Sequence, residues 1–162
     1  MAERKHRPPP PPDHARPYEI VPGLYISGHP DSAHDFISRG IHAVVDLEGD
    51  IDSAIGEGGQ PEGSTLYLYW PIEDGPMPDA TTVRSVSMFV AALLDEDKKV
   101  LVHCRSGHNR SGMICACALI EQGNPPEDAI RIVREQRGDG HALENEAFVE
   151  WLMEGVPPAR RQ

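Results

Sequence analysis

The chain has 162 residues, enough for one domain with a buried core. Its 15 Lys and Arg stand against 26 Asp and Glu, and the resulting net charge of −11 argues against a general binder of nucleic acid or anionic membrane. Three cysteines, two of them in an apolar run, argue against a disulfide framework and for a reducing compartment. No stretch resembles a signal peptide or approaches a membrane span, so a soluble cytoplasmic protein is expected.

Residues 1–17 read as a disordered, proline-rich tail that buries no apolar area. Lys5, Pro8 and Pro11 match a basic-x-x-Pro-x-x-Pro ligand for a proline-binding domain. The folded domain is expected over residues 18–155, with a short tail over 156–162. Residues 20–28 read as a turn leading into a strand. Asp31 or Ser32 is expected to cap a short helix that ends near Ser38. The apolar succession at 41–47 predicts a buried parallel strand. Residues 48–64 read as a loop, with a helical turn near 52–55. The aromatic and branched residues of 65–70 predict another strand, stopped by Pro71.

Asp79 is placed to start a helix whose apolar stripe holds Val83, Val86 and Val90. Residues 99–102 form a short apolar strand, and 112–120 an apolar helix. Asn124, Pro125 and Glu127 read as the start of a further helix to about Gln136. A loop follows at 137–140. A last helix over 144–154 buries Phe148, Trp151 and Leu152. This order predicts an α/β fold, with a mostly parallel sheet of about four to five strands and helices on both faces.

The chemistry concentrates at residues 103–111, His-Cys-Arg-Ser-Gly-His-Asn-Arg-Ser, between the apolar strand and the apolar helix. A strand, a tight loop and a helix start collect backbone N–H groups and the positive end of a helix dipole, which suits an oxyanion. Cys104 would sit within that ring of amides, where a thiolate nucleophile is favoured. Arg110 can hold two phosphate oxygens with its planar fork. Ser111 can donate a hydrogen bond to the sulfur. Gly107 permits the positive φ that turns amides inward. Arg105, Ser106, His108 and Asn109 complete the substrate-binding loop.

The spacing His-Cys, five residues, Arg-Ser resembles the signature of cysteine-dependent protein phosphatases, and the chain's size resembles their dual-specificity branch. The stretch at 22–28 is similar to that branch's opening strand. The resemblance implies a dual-specificity phosphatase-like fold and a protein-tyrosine or dual-specificity phosphatase working through a phosphocysteine intermediate. It implies a general acid on a loop about 30 residues before the cysteine. Asp74, within Trp70-Pro71-Ile72-Glu73-Asp74-Gly75-Pro76, is similar to the acid loop of regenerating-liver-type and some atypical dual-specificity enzymes. Glu73 and Asp79 are its competitors. In this reading Cys104, Arg110, Asp74 and Ser111 are catalytic, and His103 orients the loop.

The family needs no cofactor, and eight histidines without ligand spacing predict no metal. The expected partner is a phosphorylated protein, acted on by a monomer. Phosphoinositide phosphatases and RNA 5′-triphosphatases share parts of the loop, through the basic positions 105 and 108 and the ending at 109–111. They are the alternative activities, and a non-catalytic phosphate-binding pseudophosphatase is the alternative of another class.

Overall fold

The computed structural model describes residues 14–31, 38–49 and 65–156. Five strands form one sheet in the order β1-β2-β5-β3-β4. They are β1 (Tyr18–Val21), β2 (Leu24–Ser27), β3 (Ala43–Asp46), β4 (Leu66–Tyr69) and β5 (Val100–His103). Only β1 runs antiparallel to its neighbour; β2, β5, β3 and β4 are parallel. Among the described residues there are four helices, α1 (Ala80–Asp95), α2 (Arg110–Glu121), α3 (Pro126–Arg137) and α4 (Glu146–Glu154).

β5 is central. Val100, Leu101 and Val102 align with Leu24, Tyr25 and Ile26 on one side and with Ala43, Val44 and Val45 on the other. All four β5 residues are buried, as expected of a strand covered on both faces. Leu24, Ile26, Ala43, Val45, Val100 and Val102 belong to one core cluster with apolar residues of the four helices. Tyr25, Ile41, Val44 and Leu101 form a second cluster, with Tyr67 packed on it. The short helix expected at 31–38 falls mostly outside the described residues, as does the loop at 50–64.

Some boundaries differ from expectation. Residues 20–28 are a hairpin rather than a turn and one strand, because Gly23 takes φ 89° and its N–H bonds Glu19 Oε1 at 3.1 Å. His14–Pro17, expected in the tail, turn back onto the domain, where the His14 carbonyl accepts from Gly28 N–H at 2.5 Å. Asn124 does not cap α3. Its side chain donates to the Leu119 carbonyl at the end of α2, and Pro125 takes the cap position with Pro126 in the first turn. Arg137, expected in a loop, is the last residue of α3, and Gly138 closes that helix at φ 80°.

Asp79 caps α1 as its position predicts. Its carboxylate accepts from Thr82 N–H at 3.0 Å and from the Thr82 hydroxyl at 2.5 Å. Those bonds hold its carboxyl below the ordinary range. Helix α4 begins at Glu146 rather than Glu144, because Asn145 is its cap and accepts from Ala147 and Phe148 N–H. Phe148 and Leu152, both wholly buried, anchor it, at about 1.5–3 kcal/mol each.

Candidate active site

The loop at 104–109 leaves the carboxyl end of the central strand and enters α2. In open α/β sheets this is where ligands bind. Each carbonyl along its back is engaged outward. Arg105 O accepts from His29 N–H at 3.0 Å, and His108 O from Leu143 N–H at 3.2 Å. Ser106 O and Gly107 O accept from Arg137 Nη2 at 3.2 Å and Nε at 3.1 Å. In a trans peptide the N–H opposes the C=O. The N–H groups of Ser106, Gly107, His108 and Asn109 therefore turn away from that outer shell. Gly107 makes this possible at φ 71°, and a Cβ there would stand 2.5 Å from the Ser27 carbonyl carbon.

Cys104 is buried, with Sγ 3.2 Å from Ser111 Oγ in the first turn of α2. No acidic residue occupies that turn, so side-chain charge does not offset the positive helix end. Arg110 opens α2 and donates through Nη1 to Ile72 O at 3.0 Å, which ties the guanidinium to the loop after β4 that carries Asp74. Asp74 is exposed and clasped from two sides. Asn109 Nδ2 donates to one carboxylate oxygen at 2.9 Å, and Asn145 Nδ2 to the other at 2.8 Å. Asn145 also donates to Gly75 O, and its own N–H donates to Asn109 Oδ1. The geometry thus joins Asp74 to the loop at 104–109, while Asp79 is taken up as a cap.

His103 is wholly buried, with Nε2 3.8 Å from Asp46 Oδ1. Asp46 is also buried and accepts from Glu48 N–H at 2.9 Å and from the Tyr67 hydroxyl. Arg105 lies on the rim, largely exposed, 3.6 Å from Glu48, which also bonds His29 Nδ1 at 2.7 Å. His108 turns its ring aside to Asp139, Nε2 to Oδ2 2.5 Å. Burial pushes the Asp139 carboxyl up, but bonds from His141 N–H and His108 and the charge of Arg137 outweigh it and hold the group below its ordinary range.

Sequence reasoning missed four contributors: Arg137, Asn145, Asp46 and Glu48. Arg137 is fully buried, 3.5 Å from Asp139 and 4.3 Å over the Tyr18 ring. A buried guanidinium needs such partners. Cys115 and Cys117 lie in the core side of α2, and burial pushes both thiols up, Cys117 to about 11. All three cysteines are free. A thiol beside a hydroxyl at a helix start, amides, a guanidinium and a facing carboxylate can bind an oxyanion and displace at it.

The model of the family "Dual specificity phosphatase, catalytic domain" matches residues 24–155. Dual specificity protein phosphatase 2 of mouse is 28% identical over 130 residues, spanning 78% of this chain and 39% of that protein. Human protein tyrosine phosphatase type IVA 3 is 39% identical over 80 residues, spanning 48% of this chain and 46% of that one. The matches thus span under half the length of these relatives. In the crystal structure of human DUSP28 the fold recurs with a TM-score of 0.69 at 20% identity, over 88% of this chain and 93% of that one.

Proposed function

Since the chain belongs to the dual-specificity phosphatase catalytic-domain family, we propose that it is a phosphomonoester hydrolase acting on phosphorylated proteins through a phosphocysteine. The reading is carried by one observation: Asp74 is held by Asn109, a residue of the same loop that presents Cys104 and Arg110.

The steps follow from the groups present. Cys104 attacks phosphorus as thiolate, forming the S–P bond as the P–O bond to the leaving oxygen breaks. Arg110 and the loop amides stabilise the equatorial oxygens, which carry most of the charge. Asp74 gives its proton to the leaving oxygen. The resulting carboxylate then takes a proton from the water that attacks the phosphocysteine, and inorganic phosphate leaves. The Ser111 hydroxyl donates to the departing sulfur, from which it stands 3.2 Å. His103 orients the loop from behind.

Arg105 and His108 face Glu48 and Asp139, so the rim is not a free cationic patch. This supports a phosphoprotein substrate over a highly charged phosphoinositide or RNA 5′ end. Ser106 and Gly107 act through backbone amides. Tyrosine, serine and threonine phosphates all fit this reading, in the cytoplasm, with the enzyme a monomer. The proline-rich segment at Lys5, Pro8 and Pro11 lies outside the described residues, and its docking to a proline-binding domain is part of the proposal. Among the described residues no helix is long and apolar enough to cross a membrane.

The test is hydrolysis of a small aryl phosphate and of phosphotyrosine and phosphothreonine peptides, with chelator and reductant present. Turnover in wild type and none in Cys104→Ser is expected. Turnover that survives Cys104→Ser, or binding of vanadate by a wild type that turns over nothing, would sink the proposal.

A further inference from the structure

Beside the catalytic loop the fold gathers a second set of reactive side chains. His14, His108 and Asp139 each offer one ligand atom, and these atoms lie within 4.8 Å of one another. They come from the turn before β1, the catalytic loop and the segment after α3. The rings of His14 and His108 meet edge to face with centroids 5.2 Å apart. Two imidazoles and a carboxylate are a donor set for a borderline divalent ion such as zinc, with an open fourth position. Tetrahedral zinc, with bonds of about 2.0–2.2 Å, needs donors roughly 3.3–3.5 Å apart. The His108–Asp139 contact must therefore open by about an ångström from 2.5 Å, and any separation near the 4.8 Å limit must close by about as much or somewhat more.

We propose that His14, His108 and Asp139 form a binding site for a zinc-class divalent cation on the shoulder of the catalytic loop, with water as the fourth ligand. His14 Nδ1 lies 3.3 Å from the Ser106 carbonyl. The tautomer that donates there leaves Nε2 to bind metal, the usual support of a metal-bound histidine. The cation takes the place of the proton between His108 Nε2 and Asp139 Oδ2, and that proton moves to Nδ1 of the same ring, the neutral tautomer that leaves Nε2 free for metal. Arg137 opposes it: Nη1 is 3.5 Å from Asp139 Oδ2 and Nη2 3.4 Å from His14 Nδ1. Its charge makes this a weaker site than the same donors would form alone. The three ligands are remote in sequence, so the absence of ligand spacing concealed them.

The experiment is calorimetric titration of the untagged, Cys104→Ser protein with zinc chloride, so that the catalytic thiol does not compete. One ion per chain is expected. His14→Gln, at an exposed position, lowers the affinity at least about tenfold, while His141→Gln leaves it unchanged. Cobalt(II) in the site gives visible bands without sulfur-to-metal charge transfer. Undiminished binding in His14→Gln, binding that appears only when Cys104 is present, or no binding would each overturn the proposal.

Discussion

Asn145 donates to Asp74 across 2.8 Å while its side-chain oxygen caps α4. One amide therefore fastens the Asp74 loop to the end of a helix that Phe148 and Leu152 anchor in the core. The Asp74 loop is held by polar contacts from the loop at 104–109 and from α4, so its position and the integrity of α4 are linked.

Asp74→Asn is expected to lower kcat by about 10²-fold on a substrate with a poor leaving group. Steady-state kinetics with a series of leaving groups check it, and an aryl phosphate with a very good leaving group should show a much smaller loss.

Asn145→Ala removes the cap and the clasp together. Stability should fall by about 1 kcal/mol, the usual cost of a lost helix cap. The activity loss should resemble a milder Asp74→Asn, with kcat affected more than KM. Urea unfolding measured beside steady-state kinetics separates the two effects.

Arg137→Met should cost about 3–5 kcal/mol, because it leaves Asp139 and two loop carbonyls without their buried partner. Vanadate affinity should fall with it, since the outward-held carbonyls no longer fix the direction of the amides. Arg137→Lys keeps the charge but not the fork, and should restore stability only in part. Chemical denaturation and vanadate titration read both.

Gly107→Ala places a Cβ 2.5 Å from the Ser27 carbonyl carbon and 2.7 Å from Gly28 N, at positive φ. The backbone must shift, at a cost of at least about 1–3 kcal/mol. A loop that has shifted no longer matches a tetrahedral oxyanion, so turnover should be lost while the far-ultraviolet circular dichroism stays native. Gly40, also at positive φ but with nothing within 4 Å, is the control that should retain activity as Gly40→Ala.

Cys115 and Cys117 both ionise at higher pH in the folded chain than when exposed, through burial above all. The unfolded thiols lose their protons near the ordinary cysteine value of 9.0, whereas burial holds folded Cys117 protonated up to about 11. The unfolded state thus releases protons first, and stability, complete below that lower value, declines as pH rises through this window. Cys115→Ala with Cys117→Ala should flatten the decline in denaturation midpoint between pH 9 and 11, on the order of that window. Brief alkylation at neutral pH should modify neither thiol in the native protein.

The candidate loop is legible because its Cys, Arg and Ser lie within one short stretch between an apolar strand and an apolar helix. Asp74 is legible as a candidate through the motif around it, and Asp79 as a cap through its place before the stripe of α1. What holds these groups is not. Arg137 looked like any loop cation near Gly138, and nothing local says that its guanidinium reaches Ser106 and Gly107. Asn145 sat inside an expected helix. His14 stood after a run of prolines that carries no signal of return to the domain. Each of these acts through tertiary contacts between segments far apart, which periodicity and capping rules do not encode.

The sheet order places the two halves of the proposed chemistry on different kinds of strand. Cys104 follows β5, which is laced to a neighbour on both sides, whereas the Asp74 loop follows β4, which has one neighbour at the sheet's edge. Under the proposed mechanism, damage at the rim and in the middle of the sheet therefore has unequal consequences. Loosening β4 would leave an oxyanion-binding loop without its acid, a trap in place of a catalyst, whereas loosening β5 would remove the grip itself.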